Sequence, residues 1–555
     1  MINGVKIKTI VTSALPYTYA IPHLGNFVGS VLPADVYFKY LKMKKEDAIF
    51  ICGSDQHGTP IELRAIKEGT TPEKLSEDMH AKIMQLFENF ECTFTYYGKT
   101  HTEQNKEVAY EIFNALKNNG YIVEVEDKQA YCNIDKRFLT DRLIEGDCPY
   151  CKYNKARGDQ CENCGRLLDP DQLINPRCSI CNKNDISFLK VKNLAIALDK
   201  LQDKILEFVE AGSKNNWSKN AKNKALSYIK EGLKPRDITR SMKWGIPVPV
   251  KGFEHSVFYV WYDAPIAYIS MTKDWDREKW KNYWMSKDTR VVQFMGKDNI
   301  EFHTVMWPAF LLGSNLGYAL PTTIRASEYL TSKEVKFSKS AGVGLNMQEA
   351  IKILDADYWR FSLMYMYPET ADTEFSIEVL TEVVNKIMND KIGNFIHRVL
   401  TIAKNNKELI NSMEKVELGN EKEAINKILD DYKSNFENMH MREALYALIS
   451  LAEFGNAKMS NDQPWNQLKW KEKEEGEKRF ISTMSSLLKI AYNLSVLLWP
   501  FTPASSMKAL SYFGIENEPL LDDLNNNPKP DLDKEITPLF SKLTDEKLEK
   551  IERFR

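Results

Sequence analysis

The chain has 555 residues, 43% of them hydrophobic and 27% charged, a composition of ordinary globular protein and too much chain for one core, so three or more domains are expected. With 75 basic against 77 acidic residues the formal net charge is −2, which excludes binding of nucleic acid through a global positive field and leaves only local basic patches. The N-terminus lacks an apolar core of signal-peptide length, and no apolar run approaches the roughly 20 residues of a spanning helix; no membrane partner and a cytoplasmic location are expected.

Residues 9–14 and 47–53 are apolar runs bounded by turn signals, the pattern of strands buried on both faces of a parallel sheet. Between them Phe27, Val28, Val31, Leu32, Val36 and Tyr40 keep a helical spacing, which makes a βαβ unit. Pro33 removes a backbone donor inside that helix and predicts a kink or a break. Residues 290–295 and 323–326 are further strand candidates, beyond an interruption that holds the cysteines. The fold class expected is α/β: a Rossmann-like parallel sheet split by a zinc-knuckle insertion and followed by an all-α bundle. The boundaries read are 1–120 and 236–325 for the two halves of the sheet domain, 121–235 for the insertion, 326–375 for a linking region with a Lys-Phe-Ser-Lys-Ser loop, and 376–555 for the helical part. In the last, Ile377, Leu380, Val384, Ile387 and Met388 share a face. Residues 522–533 read as a long loop, and Thr544 as the N-cap of a final helix.

Seven of the nine cysteines lie between Cys132 and Cys181, which suits metal ligands in a reducing compartment. Cys148-x-x-Cys151 and Cys161-x-x-Cys164 are two pairs whose spacing lets four thiolates close around one structural zinc. Cys178-x-x-Cys181 has no complete partner pair, but Cys132 and Asp135 would complete a second zinc site, a carboxylate being an acceptable ligand. Spacing alone leaves open how the pairs divide. Cys52 and Cys92 fall outside the cluster and read as core residues.

Two short segments carry chemistry only as a pair. His23-Leu24-Gly25-Asn26 follows the first strand and opens a helix, where ring and amide donors stand beside exposed backbone N–H groups, a place for phosphate. Lys336-Phe337-Ser338-Lys339-Ser340 brings two lysines suited to a leaving group. Each alone is commoner as a helix start or a solvated loop. In this order and separation they resemble the HIGH and KMSKS motifs of class I aminoacyl-tRNA synthetases. Residues 14–17, 53–58, 260–268 and 296–303 further resemble, in order, motifs of the methionyl-tRNA synthetase family. Asn26 in place of the motif's last histidine, and Phe337 in place of methionine, look like the archaeal and eukaryotic branch.

That resemblance implies that methionine's carboxylate attacks the α-phosphorus of ATP, and that the methionyl group then passes to the 3′-terminal adenosine of tRNA(Met). Because the nucleophile is already an anion, positioning and charge stabilisation carry the first step. His23, Asn26, Lys336 and Lys339 would be catalytic. Gly25, Gly296, Asp298 and Lys339 would bind ATP, with magnesium on its phosphates. Leu15, Tyr17, Trp261, Ala264, Pro265, Tyr268, Ile300 and His303 would line the side-chain pocket, Asp55 would hold the α-amino group, and Arg240 would face the carboxylate. Aromatic walls with few polar tips suit a thioether. Asn394 and Arg398, neighbours on a helix face, and Trp465 would read the anticodon, an indole stacking on an unpaired base. Rival readings are a leucyl, valyl or cysteinyl enzyme, a non-catalytic tRNA-binding protein of the same fold, or a small-molecule nucleotidyltransferase. The first two lack here the long editing insertion they would carry. The chain stops without an OB-fold dimerisation domain, so a monomer is expected.

Overall fold

Five parallel strands form the central sheet of the computed structural model, which describes residues 7–139, 143–158, 161, 163, 168, 170–332, 335–336 and 344–553. They are β1 (Lys8–Ser13), β2 (Asp47–Ser54), β3 (Tyr96–Lys99), β4 (Thr289–Gly296) and β5 (Pro321–Ser327), in the spatial order β5-β4-β1-β2-β3. Successive residues feed opposite faces, as a pleated strand requires: Ile10, Ile49 and Val291 enter one apolar cluster, and Val11, Phe50 and Val292 the other. Both faces are therefore covered, which is why these strands read as continuous apolar runs. The α/β class expected from the sequence is what is found.

Strand order reverses between β1, which continues to β2 on one side, and β4 on the other. In open parallel sheets a crevice opens at the carboxyl ends of the strands at such a point. Here those ends are Ser13 and Gly296, and residues 14–17 and 296–299 follow them directly.

Pro33 leaves its mark upstream of itself. Residues Phe27–Val31 form a wide π turn, and regular α geometry starts at Leu32, with Pro33 in its first turn, and runs to Met43. The expected kink is thus a local change of helical winding just ahead of the residue that lacks a donor.

An antiparallel arm, Ile122–Cys132 paired along its length with Ile186–Ile196, leaves the sheet domain, and the chain returns along Arg236–Asp237. The arm sets Cys132 opposite Ile186 at its far end. Beyond that end lies a three-stranded sheet of Ala156–Arg157, Ile144–Asp147 and Ile174–Cys178, around a small core of its own that includes Leu139, Leu143 and Leu173.

From Ile377 onward the described chain is mainly helical, with a continuous rod over Ile377–Asn405, then Lys422–Glu437, Met441–Asp462, Lys473–Leu497 and shorter pieces, and a stretch without helix over residues 526–544 that holds most of the expected loop. Thr544 caps the last helix, Asp545–Glu552, its side chain accepting from the Lys547 N–H. The helix Lys473–Leu497 is long and apolar enough to cross a membrane by length and composition, which corrects the expectation that no run reaches that length. It is the buried central helix of the bundle, and its Lys489 ammonium donates to the Leu524 carbonyl at 2.8 Å inside the protein.

Candidate active site

A cleft of about 630 Å³ opens at the strand-order reversal. Its walls come from the turn after β1 (Ala14–Tyr17), the helix start at His23–Asn26, Gly58 and Pro60 beyond β2, Tyr259–Trp261, Gly296–Asn299 after β4, and Ser327–Leu330 after β5.

His23 and Asn26 cap one another. The Asn26 N–H donates to His23 Nδ1 at 3.0 Å, and the His23 N–H donates to Asn26 Oδ1 at 3.3 Å. With Nδ1 accepting, the imidazole proton belongs on Nε2, so the ring is a donor to whatever stands before the helix. His23 is buried, Asn26 exposed, and both line the cleft with Gly25.

The segment following the second motif is joined to the first. Leu24 N–H donates to the Leu345 carbonyl at 3.0 Å, and Met347 N–H to the Pro22 carbonyl at 2.9 Å. On the other side of that motif, Lys336 pairs in a short strand with Thr331, next to the cleft residue Leu330. Residues 337–343, Lys339 among them, lie outside the described residues, as does the side chain of Lys336.

Of the residues expected around the thioether, Leu15, Tyr17 and Trp261 line the cleft. Pro265, Tyr268, Ile300 and His303 are buried and Ala264 is half-buried, and none of the five lines the cleft. Trp261 packs on Phe302 at 4.2 Å between ring centroids and on Tyr259 at 4.9 Å. His303 Nδ1 faces the Asn299 carbonyl at 3.0 Å and so carries the proton, which leaves Nε2 as an acceptor 3.1 Å from the Tyr268 hydroxyl. Burial pushes the His303 imidazole down to about 4, so it is neutral at physiological pH: a polar tip without charge, which suits a sulfur atom and penalises an ionised side chain.

Asp55 is buried and bridged by its backbone to Tyr17. Its carboxylate accepts from the His57 N–H at 3.2 Å and from the Tyr17 hydroxyl. Burial, and then the nearby charge of Asp263, raise its pKa well above the ordinary carboxylate range. A cation arriving beside it would reverse that penalty. Arg240 stands behind the wall, its guanidinium 4.3 Å from the Tyr259 ring centroid and 2.8 Å from Asp237. Asp298 lines the cleft beside Gly296, where an added Cβ would meet Asp298 Oδ1 at 2.7 Å, so a side chain at 296 would displace the Asp298 carboxylate.

Sequence reading missed Tyr259, Asn299, Phe302, Glu328 and Tyr329, all on the cleft. The last two follow β5 directly, and the rule that ligands collect at the carboxyl ends of parallel strands would have found them.

In the arm, Cys132, Asp135, Cys178 and Cys181 bring one ligand atom each to a common point, and Cys148, Cys151 and Cys161 do so at another; Cys164 lies outside the described residues. Zinc–sulfur bonds of about 2.3 Å at tetrahedral angles separate sulfurs by about 3.8 Å. Cys132 and Cys181 are 3.7 Å apart and Cys151 and Cys161 3.6 Å, so the donor sets fit a zinc ion. Cys52 and Cys92 are buried in the core.

In the helical part Asn394 begins a helix directly after a π segment, Val383–Gly393, and donates to Asp390 at 3.3 Å. The Arg398 guanidinium lies 5.7 Å from the ring of Trp465, which is 39% exposed.

A split parallel sheet whose reversal point carries a self-capped His-x-x-Asn helix start, joined through its backbone to the segment after Lys-Phe-Ser-Lys-Ser, defines a class I aminoacyl-tRNA synthetase. The model of the family described as tRNA synthetases class I (M) matches residues 9–400, and that of the anticodon binding domain of methionyl tRNA ligase matches residues 414–555. The chain thus belongs to the methionyl-tRNA synthetase family. Among its relatives are methionine–tRNA ligases of Pyrobaculum islandicum, 41% identical over 99% of this chain and 97% of that protein, and of Korarchaeum cryptofilum, 39% identical over 98% and 97%. The fold is shared with the crystal structure of Mycobacterium tuberculosis methionyl-tRNA synthetase bound by methionyl-adenylate, with a TM-score of 0.79, 22% identity, and coverage of 97% of this chain and all of that one.

Proposed function

We propose that this cleft activates L-methionine with ATP to methionyl-adenylate and passes the methionyl group to the 3′-terminal adenosine of tRNA(Met). The observation that supports this is the backbone link between Leu24, in the first motif, and Leu345, five residues beyond the second. ATP lies with its phosphates before His23 and Asn26, its ribose toward Asp298, and its adenine against Gly25 and Gly296. The methionine ammonium pairs with Asp55, its side chain enters between Leu15, Tyr17 and Trp261 toward Tyr268 and His303, and Arg240 serves the carboxylate side through the wall it supports. Attack by the carboxylate needs no base; His23 and Asn26 donate to the phosphates, and Lys336 and Lys339 neutralise the departing pyrophosphate. Magnesium on the phosphates supplies further charge neutralisation.

Two zinc ions are structural. One is held by Cys148, Cys151, Cys161 and Cys164, the other by Cys132, Asp135, Cys178 and Cys181. Closed sites of this kind do no chemistry. Asn394, Arg398 and Trp465 read the anticodon. The working divisions are residues 1–120 and 236–325 for catalysis, 121–235 for the arm, 326–375 for contact with the tRNA stem and 376–555 for the anticodon. A cytoplasmic monomer is the accompanying reading, supported by large exposed apolar side chains that are few and spread along the described chain.

The test is methionine-dependent exchange of labelled pyrophosphate into ATP by the purified chain. Exchange with leucine or cysteine in place of methionine would overturn the substrate assignment.

A further inference from the structure

The mechanism above leaves one buried constellation without a task. His57 is almost fully buried, its Nδ1 bonded to Asp263 Oδ2 and its Nε2 2.9 Å from His101 Nδ1. The Trp244 ring stands edge-on to it at 5.7 Å between centroids. Asp263 is fully buried, and its other oxygen has no hydrogen-bond partner among the described residues. Titratable groups facing this array are Asp55 on one side and, behind His101, Glu73, Glu77 and Lys99.

We propose that His57 is a positioning residue for the methionine ammonium, acting through Asp55, with Asp263 holding its ring. Three geometric facts converge. The backbone N–H of His57 is one of the donors that orient the Asp55 carboxylate, so the way the ring is held sets where that donor stands. The residue after it, Gly58, takes φ +107° and starts the helix Thr59–Glu68, so the 55–58 turn has a conformation that the sequence permits at one point only. Asp263 belongs to the first turns of the helix Val260–Trp275, which supplies Val260 and Trp261 to the cleft. The His57–Asp263 bond therefore fastens the turn carrying Asp55 to the helix carrying Trp261, and fixes the ammonium partner relative to the side-chain wall.

This rests on the reading that Asp55 pairs with the ammonium, and the experiment separates the two. Pyrophosphate exchange is measured for the full chain with His57→Ala, His57→Gln, His57→Asn and Asp55→Asn. An asparagine amide can take the place of Nδ1 as donor to Asp263, whereas glutamine reaches the Nε2 position instead. Loss of a hydrogen bond to a charged group corresponds to about a tenfold effect. The expected result is an increase of about tenfold in KM for methionine with alanine and glutamine, about threefold or less with asparagine, and an unchanged KM for ATP in all three. Competitive inhibition by 4-(methylthio)butanoate, which lacks the amino group, should be unchanged.

A purely structural role predicts equal effects of the three His57 substitutions, and equal loss of inhibition by the desamino probe. Either result overturns the proposal, as does an unaltered methionine KM in a folded His57→Gln protein. If His57→Ala does not fold, the contrast between Gln and Asn still decides. If Asp55→Asn leaves the methionine KM unchanged, the ammonium reading itself falls; if it raises that KM while the His57 series has no effect, only the present inference falls.

Discussion

Arg360 and Asp35 meet at 2.6 Å with both side chains fully buried. Asp35 lies on the helix that continues from the His23 segment and also holds the Lys39 ammonium at 2.8 Å. Arg360, on the helix Ala356–Tyr365, donates further to the carbonyls of Pro500, Phe501 and Phe90. One carboxylate and two cations thus join the sheet domain to the end of the bundle's central helix.

Asp35→Ala should therefore destabilise the chain by more than an ordinary surface substitution. It strands two buried cations, and breaking a buried pair costs about 3–5 kcal/mol. Urea denaturation at neutral pH measures this; a loss below about 1 kcal/mol would mean that water reaches the site. The pH dependence has a definite sign. Burial alone would raise the Asp35 pKa, but Lys39 and Arg360 outweigh it and hold the group below the ordinary carboxylate range. Its stabilisation is present above the unfolded pKa and is lost as pH falls through the folded one.

Asp55 behaves in the opposite sense. Its folded pKa is raised by burial and by Asp263, so between the ordinary carboxylate value and the raised one the native state holds more protons than the unfolded state. Stability falls as pH rises through that window. Asp55→Asn removes the penalty and should raise the Tm at about pH 7.5 but not at about pH 4, while abolishing methionine binding. Scanning calorimetry at the two pH values, without ligand, checks it; equal shifts at both would show that ionisation is not the cause.

The strands were legible because both faces of each are buried, so Ile10–Val11 and Ile49–Ile51 carry no polar alternation to obscure them. His23 and Asn26 could be placed at a helix start, but not the reciprocal cap between them, since that depends on backbone angles. The cysteines were legible as a cluster while their partition was not: Cys132 reaches Cys181 only because the arm pairs residues 122–132 with 186–196, a register that spacing along the chain does not contain. The link between Asp263 and His57, over 200 residues apart in sequence, left no local signal. Each residue alone reads as part of a buried motif, and only the fold makes them neighbours.

Two zinc ions per chain should appear in elemental analysis of the purified protein. Cys148→Ser should lower the count to one, and Cys178→Ser should do the same through the other site. Because the arm has its own small core, loss of either ion should open the 143–186 region to protease while pyrophosphate exchange stays within a few-fold of the parent. Parallel loss of metal and exchange would instead place a zinc ion in the chemistry.

Trp465→Ala should separate the two halves of the reaction. The indole is 39% exposed, and the Arg398 guanidinium lies 5.7 Å from its ring on the bundle side, which leaves ring area available to an unpaired base. Stacking of one base on an aromatic side chain contributes about 1–3 kcal/mol, so the KM for tRNA should rise by about five- to a hundred-and-fiftyfold. The cleft proposed for activation lies between His23 and Gly296, far along the chain from the bundle, and pyrophosphate exchange needs no tRNA; its parameters should not move. Arg398→Lys keeps the charge but loses the planar guanidinium, and should reproduce part of the defect with the same salt dependence as the parent. If Trp465→Ala lowers exchange and aminoacylation together, the residue supports the fold and does not read RNA.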